Sequence, residues 1–200
     1  MIKKPKYKIA RRLGAGVFDK TQTPKFSAVS GQFTRGGKRP KALSEYASQL
    51  LEKQKIRFSY GITERQLSNY VKKATEKAGT QAAVKFYEEL ESRLDNVLYR
   101  MGLAPSRRAA RQMVSHGHFT VGGKRVTVPS YRVRPGDAIR VREGSKGKKI
   151  FEGLAERLKE YNFPTWLSFD PGKMEGEVKA APENTQTFID IESVLEFYSR

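Results

Sequence analysis

The 200-residue chain contains no cysteine, two histidines and one tryptophan, and its 21 Asp+Glu are outnumbered by 39 Lys+Arg. The missing cysteine excludes a disulfide scaffold, a thiolate nucleophile, a Cys-ligated structural zinc and an iron–sulfur cluster. Long apolar runs are missing too. The longest stretch free of charged side chains, Gln112–Gly123, holds both histidines and three glycines, which is no membrane span. Met1–Arg12 is basic, but no apolar run follows it. It therefore does not read as a secretory signal, and it lacks the amphipathic helix of a transit peptide. Hydrophobic content is 38%, low for a compact enzyme yet enough to build a core at this length.

What the chain has is positive charge, +18 in all. Residues 1–57 carry 15 basic and 3 acidic side chains, and residues 91–150 carry 14 and 4. Residues 151–200 reverse the balance, with 5 basic and 10 acidic. A solvated face accounts for one basic cluster; two such blocks call for an anionic partner, and a polyphosphate backbone is the economical one. An anionic membrane fits less well, because no basic amphipathic helix has a bulky apolar face.

Residues 1–41 read as irregular. Pro5, Pro24 and Pro40 with five glycines interrupt any periodicity, and such a basic segment is expected to order only against a partner. From Ser44, a candidate N-cap, the spacing of Tyr46, Ala47, Leu50 and Leu51 predicts a helix. Lys53, Lys55 and Arg57 near its end suit either the helix dipole or phosphate binding. Gly61 ends it, and Thr63–Gln66 fits a capping box. Leu67, Tyr70, Val71 and Ala74 predict a second helix, and Val84, Tyr87 and Leu90 a third with those residues inward.

Residues 91–101 predict a helix through Leu94, Val97, Leu98 and Met101. Pro105-Ser106 opens another, with Ala110, Met113 and Val114 inward. Short strands follow at His118–Val121 and Lys124–Val128 around Gly122-Gly123, then at Tyr131–Val133 and Ala138–Arg142 around Pro135-Gly136-Asp137. Beyond a Gly-rich basic link, Leu154, Leu158 and Tyr161 predict a helix, and Trp166–Phe169 with Lys173–Val178 a hairpin. Ile191, Val194, Leu195 and Tyr198 predict a final helix. The fold class is α+β.

The sharpest constellation is Arg107, Arg108 and Arg111 on one helix, with Arg93 and Arg100 on the helix before it. Guanidinium forks on two packed helices match phosphate oxygens better than flexible ammonium groups do. Lys124 and Arg125 add a second basic edge after the Gly-Gly turn. His116 and His118 have no cysteine or carboxylate partners nearby, so a metal site or a catalytic dyad is the poorer reading. No cofactor is implied. The phenylalanines and tyrosines at helical spacing read as core rather than as base-stacking platforms.

Glu91–Gly102, Ser106–Gln112, Gly117–Lys124 and Pro135–Ile139 together resemble the small RNA-binding module named after small ribosomal subunit protein four. Leu51–Arg57 with Tyr60-Gly61 and Glu64–Gln66 resembles that family's helical domain. Pro164–Leu167, Gly172–Gly176 and Leu195–Arg200 resemble its C-terminal part. The resemblance runs nearly end to end. It implies a helical domain of residues 42–90, completed by 180–200, with the RNA-binding module at 91–150 inserted. A helix and hairpin over 151–179 would lead back from the module, and residues 1–41 would form a basic extension ordering on RNA.

Functionally it implies a non-enzymatic constituent of the small subunit of the cytoplasmic ribosome. Such a protein binds early to a multi-helix junction in the 5′ domain of small-subunit rRNA and contributes to translational accuracy. Implied neighbours are small-subunit protein five and mRNA near the channel by which it enters. Arg93, Arg100, Arg107, Arg108, Arg111, Lys124, Arg125, Lys53, Lys55, Arg57, Arg65, Lys3, Lys4, Arg11, Arg12 and Arg35 are the expected rRNA contacts. Lys38, Arg39 and Lys41 are the candidates for touching mRNA. Some family members carry a Cys-rich zinc knuckle near the N-terminus; without cysteine this chain has none. A targeting arm of an RNA-modifying enzyme is one rival reading, but too few residues flank the module to build a catalytic domain; an RNA-binding factor that uses the same module on stalled large subunits is the other.

Overall fold

The computed structural model describes residues 5–24, 26, 43–78, 81–159, 161–183 and 188–199. Lys3, Lys4, Arg35, Lys38, Arg39 and Lys41 lie outside the described residues. The chain divides into two compact units, Met1–Phe86 with Thr185–Arg200, and Tyr87–Asn184.

The first unit is helical. Helix α1 (Lys6–Leu13) starts directly after Pro5, where a missing N–H costs nothing, and buries Ala10 and Leu13. Two 3₁₀ turns follow, Ala15–Val17 and Asp19–Thr21. The Thr21 hydroxyl is fully buried and bonds the carbonyls of Ala15 and Phe18 at 2.7 and 2.8 Å. Over residues 5–24 the irregular segment expected from composition is thus an ordered helix and two turns. Three spaced apolar side chains, Ala10, Leu13 and Val17, are buried along it, and Pro5 stands just before the helix. Helices α2 (Glu45–Ser59) and α3 (Glu64–Ala78) start where the caps predict. Ser44 Oγ accepts from the Ala47 N–H at 3.3 Å. The Gln66 N–H donates to Thr63 Oγ1 at 3.3 Å, and the Thr63 N–H donates to Gln66 Oε1 at 3.0 Å. These are the two reciprocal bonds of a capping box.

Helix α4 (Ala82–Glu91) follows. It buries Phe86, Tyr87 and Leu90, whereas Val84 is exposed, a departure from the inward position expected of it. Tyr46 is likewise exposed, its ring 5.5 Å from that of Phe197.

The second unit carries α5 (Leu94–Arg100) and α6 (Arg107–Ser115) on one face of a five-stranded antiparallel sheet. The strands are β1 (Phe119–Val121), β2 (Lys124–Arg125), β3 (Ala138–Val141), β4 (Leu167–Asp170) and β5 (Glu175–Val178), in the order β2-β1-β3-β5-β4. Alternation sets one apolar face: Phe119, Val121, Ile139, Val141, Leu167, Phe169 and Val178 are buried with Leu94, Val97, Leu98 and Met101 of α5. Between β3 and β4 run the short helices α7 (Glu143–Lys146) and α8 (Leu154–Leu158), with a 3₁₀ turn at Lys149–Phe151 between them. The last helix, α9 (Ile191–Ser199), belongs to the first unit and packs along α2. Asp190 caps it through the Ser193 N–H at 3.1 Å and hydroxyl at 2.6 Å, and both bonds hold the Asp190 carboxyl below its usual range.

Three further details differ from the sequence expectations. Helix α5 begins at Leu94, not at residue 91, because the chain breaks at Ser92-Arg93 between α4 and α5. Tyr131–Val133 is not a strand; an isolated bridge pairs Arg132 with Arg93 instead. The 167–178 hairpin, expected in a segment leading away from the module, lies in the module's own sheet. Ile139 of β3 faces Gly176 of β5, and Gly176 faces Phe169 of β4. A Cβ on Gly176 would meet the Ser168 carbonyl oxygen and the Phe169 ring at 2.8 Å, so glycine permits that close approach.

Candidate nucleic-acid interface

The arginines of the second unit are organised by two buried carboxylates. Asp95, in the first turn of α5, is 1% exposed. It accepts from Arg93 Nε at 3.0 Å and Nη2 at 2.8 Å, and from Arg111 Nε at 2.9 Å and Nη2 at 2.7 Å. Glu91, at the end of α4, is equally buried. Its two oxygens accept from Arg100 Nε at 2.9 Å and Nη2 at 3.0 Å. Asn96 links the two halves. Its amide donates to Glu91 Oε2 at 2.9 Å, and its oxygen accepts from Arg107 Nε at 2.7 Å. The Arg107 guanidinium also lies over the Tyr99 ring, 4.6 Å from its centroid, and 3.9 Å from Glu91.

Four guanidiniums therefore surround two carboxylates, leaving two positive charges in excess on a rigid frame. The side chains of Arg100, Arg107 and Arg111 keep 22%, 16% and 20% exposure. Arg93 keeps 3%. The expectation that Arg93 meets phosphate from the surface is corrected on that ground: its fork is closed on Asp95 inside the unit. Burial, aided by the Glu91 charge, also pushes the nearby Tyr87 hydroxyl up to about 12.

Arg108, Lys124 and Arg125 are exposed. Arg108 sits between Arg107 and Ala109 in the first turn of α6, whose Ser106 cap accepts from the Ala109 N–H at 3.3 Å. Arg125 reaches back toward the end of α6, with Nη2 3.5 Å from the His116 carbonyl. It lies over Gly117, whose φ is +69° and whose absent Cβ would sit 2.2 Å from Arg125 Nε. His118 is buried, its Nδ1 2.9 Å from Ser145 Oγ. Desolvation, then the charges of Lys148, His116, Arg142 and Arg125, hold its pKa below the ordinary histidine value. The ring is thus held inside the unit against Ser145.

In the first unit Arg11, Arg12 and Arg65 are exposed. Lys53 is not. It is 8% exposed, pairs with Glu64 at 2.9 Å and lies 4.2 Å from the centre of the Phe197 ring, so its expected phosphate contact is corrected to an internal ion pair. Lys55 pairs with Glu52 and lies 5.1 Å from the centre of the Phe188 ring. Arg57 is half-buried, with Nη1 3.3 Å from Gln54 and 3.6 Å from Glu64. Lys55 and Arg57 keep 21% and 24% side-chain exposure.

Glu91, Asp95 and Asn96 had not been singled out by the sequence reading. The signal was available: two carboxylates four apart, on the path of four arginines. Arg132, exposed and bonded to buried Glu89 at 2.7 Å, was missed as well. Among the described residues no cluster of metal-ligating side chains occurs, and no helix is long and apolar enough to cross a membrane.

A two-helix layer on a small sheet, with arginines fixed at its surface, defines an RNA-binding module. Residues 92–139 match the S4 domain, and residues 1–91 match the ribosomal protein S4/S9 N-terminal domain. The chain is 45% identical over 205 residues to small ribosomal subunit protein uS4 of Chromobacterium violaceum, covering 98% of this chain and 97% of that one. It is also 45% identical over 200 residues to the uS4 proteins of Halalkalibacterium halodurans and Geobacillus stearothermophilus, at the same coverage. The chain belongs to the small ribosomal subunit protein uS4 family, whose members are structural rather than enzymatic. The S4 domain match ends at Ile139, just inside β3, so the β4–β5 hairpin completes the sheet from beyond it.

Proposed function

We propose that this protein is a structural component of the small ribosomal subunit in the cytoplasm and binds its rRNA without chemistry. The arginine frame around Glu91 and Asp95 carries the reading. Fixed guanidiniums that keep 16–22% exposure and a net positive charge are suited to a folded phosphate backbone. Arg108, Lys124 and Arg125 extend that face, with Arg100, Arg107 and Arg111 offering their exposed edges. Arg11, Arg12 and Arg65 are the corresponding contacts of the helical unit. The target is a multi-helix junction in the 5′ domain of small-subunit rRNA, read by its shape more than by base edges. Contacts with small-subunit protein five and with mRNA, and an influence on accuracy, rest on the family resemblance.

Chemical footprinting on full-length small-subunit rRNA, repeated across a salt titration, tests the reading. One compact protected junction is expected. Log affinity should fall with log salt at roughly 0.7 to 0.9 per phosphate contacted. Diffuse, uniform protection would overturn it.

A further inference from the structure

The carboxylates at the heart of the arginine frame pose an electrostatic puzzle. A surface meant for phosphate gains attraction from every positive charge and loses it from every negative one. Yet Glu91 and Asp95 sit behind that surface, 1% exposed, each bonded to arginines. A lone arginine side chain has large rotamer freedom, and holding it costs entropy when it binds. A guanidinium already locked on one edge by two bonds has lost that freedom before RNA arrives. Arg100 and Arg111 are each locked through Nε and Nη2, and Arg107 through Nε and the Tyr99 ring.

We infer that Glu91 and Asp95 are positioning residues of the RNA interface: they fix the guanidinium planes of Arg100 and Arg111, so that removing a negative charge here weakens rRNA binding. The inference rests on the proposed rRNA reading, and it makes the opposite forecast from simple charge counting. Asn96 belongs to the same device, since it relays the Glu91 contact to Arg107.

Glu91→Gln is the primary variant. Its arginine partners are already partly solvated, and the amide keeps the shape and one acceptor. Filter binding of the full chain would use a 5′-domain fragment of small-subunit rRNA, with an unrelated duplex RNA of equal length as control. Glu91→Gln is expected to bind the rRNA fragment about tenfold more weakly, the size of losing an oriented charge-assisted bond. Its affinity for the control duplex should hold or rise. In an Arg100→Ala background the same change should have a smaller effect, carried only by Arg107 through Asn96. Arg100→Lys and Arg111→Lys keep the charge and lose the fork, so each should also weaken rRNA binding. These two changes decide the matter if Glu91→Gln does not fold.

Equal or tighter rRNA binding by Glu91→Gln, or by both lysine variants when Glu91→Gln is unfolded, overturns the positioning role and leaves the rRNA reading intact. Failure of the unmodified chain to prefer the rRNA fragment over the duplex would overturn the rRNA reading itself.

Discussion

The hydroxyl of Tyr198 donates to Glu64 Oε1 at 2.7 Å, tying α9 to the first turn of α3 across 134 residues of sequence. Lys53 reaches the same Glu64 oxygen at 2.9 Å from α2, so one carboxylate joins three helices. Burial acts to raise the Glu64 carboxyl. The bonds from Lys53 and Tyr198, with the charges of Lys53 and Arg57, outweigh it and hold the carboxyl below its ordinary value of 4.5. Burial, and then the same contact with Glu64, raise the Tyr198 hydroxyl. Tyr198→Phe should cost about 1 kcal/mol. A carboxyl lowered by folding stabilises above its unfolded value and loses that contribution as pH falls through its folded one. Denaturant titrations carried from pH 7 downward should therefore show the full Tyr198→Phe deficit at neutral pH and progressively less of it as the Glu64 carboxyl protonates.

His118 gives a second acid-sensitive point, in the other unit. Its folded pKa lies below the ordinary value of 6.5, so protonation favours the unfolded state. Stability of the second unit should be fully present above pH 6.5 and decline as pH falls below it. Trp166, the single tryptophan, is buried in that unit's core and reports its unfolding by fluorescence. His118→Gln should flatten the decline between pH 6.5 and 5; an unchanged slope would assign it to another group.

Arg93 and Arg108 should separate folding from binding. Arg93 is enclosed with Asp95, and breaking a buried pair costs about 3 kcal/mol or more. Arg108 is exposed, and its truncation should leave Trp166 unfolding within about 0.5 kcal/mol of the parent. Arg108→Ala should instead weaken rRNA binding and reduce the salt slope.

The membership of β4 and β5 in the sheet is open to test at Gly176. Valine there would drive a branched side chain into the Ser168 carbonyl and the Phe169 ring. Overpacking of this kind costs about 2 kcal/mol. Fluorescence-detected unfolding of Gly176→Val should show the whole second unit destabilised, rather than a hairpin loosened at its margin.

Much of this architecture was legible in the residues. Ser44, Thr63-Gln66 and Ser106 announced their helix starts because capping is a local chemistry, complete within four residues. The strand alternation at Phe119–Val121 and Ala138–Val141 was equally local. The sheet's extension through β5 was not, since it depends on a pairing between Ile139 and Gly176 that no short window contains. The α1 segment misled because Lys and Arg dominate it, while the few side chains that dock it, Ala10, Leu13 and Val17 among them, are widely spaced. At the candidate interface the arginines were legible as a cluster but not their internal fate. Whether Arg93 faces outward or in turns on Asp95, whose spacing from Glu91 is visible in the sequence while its burial is not.

The helical unit is split in sequence, with Thr185–Arg200 joining Met1–Phe86, whereas Tyr87–Asn184 is continuous. Synthesis runs from the N-terminus, so the arginine-bearing unit has all its residues before α9 exists. Until Tyr198 is made, Lys53 and Glu64 wait without their third partner. The nascent chain thus acquires a complete module for gripping RNA while its other half is still unfinished.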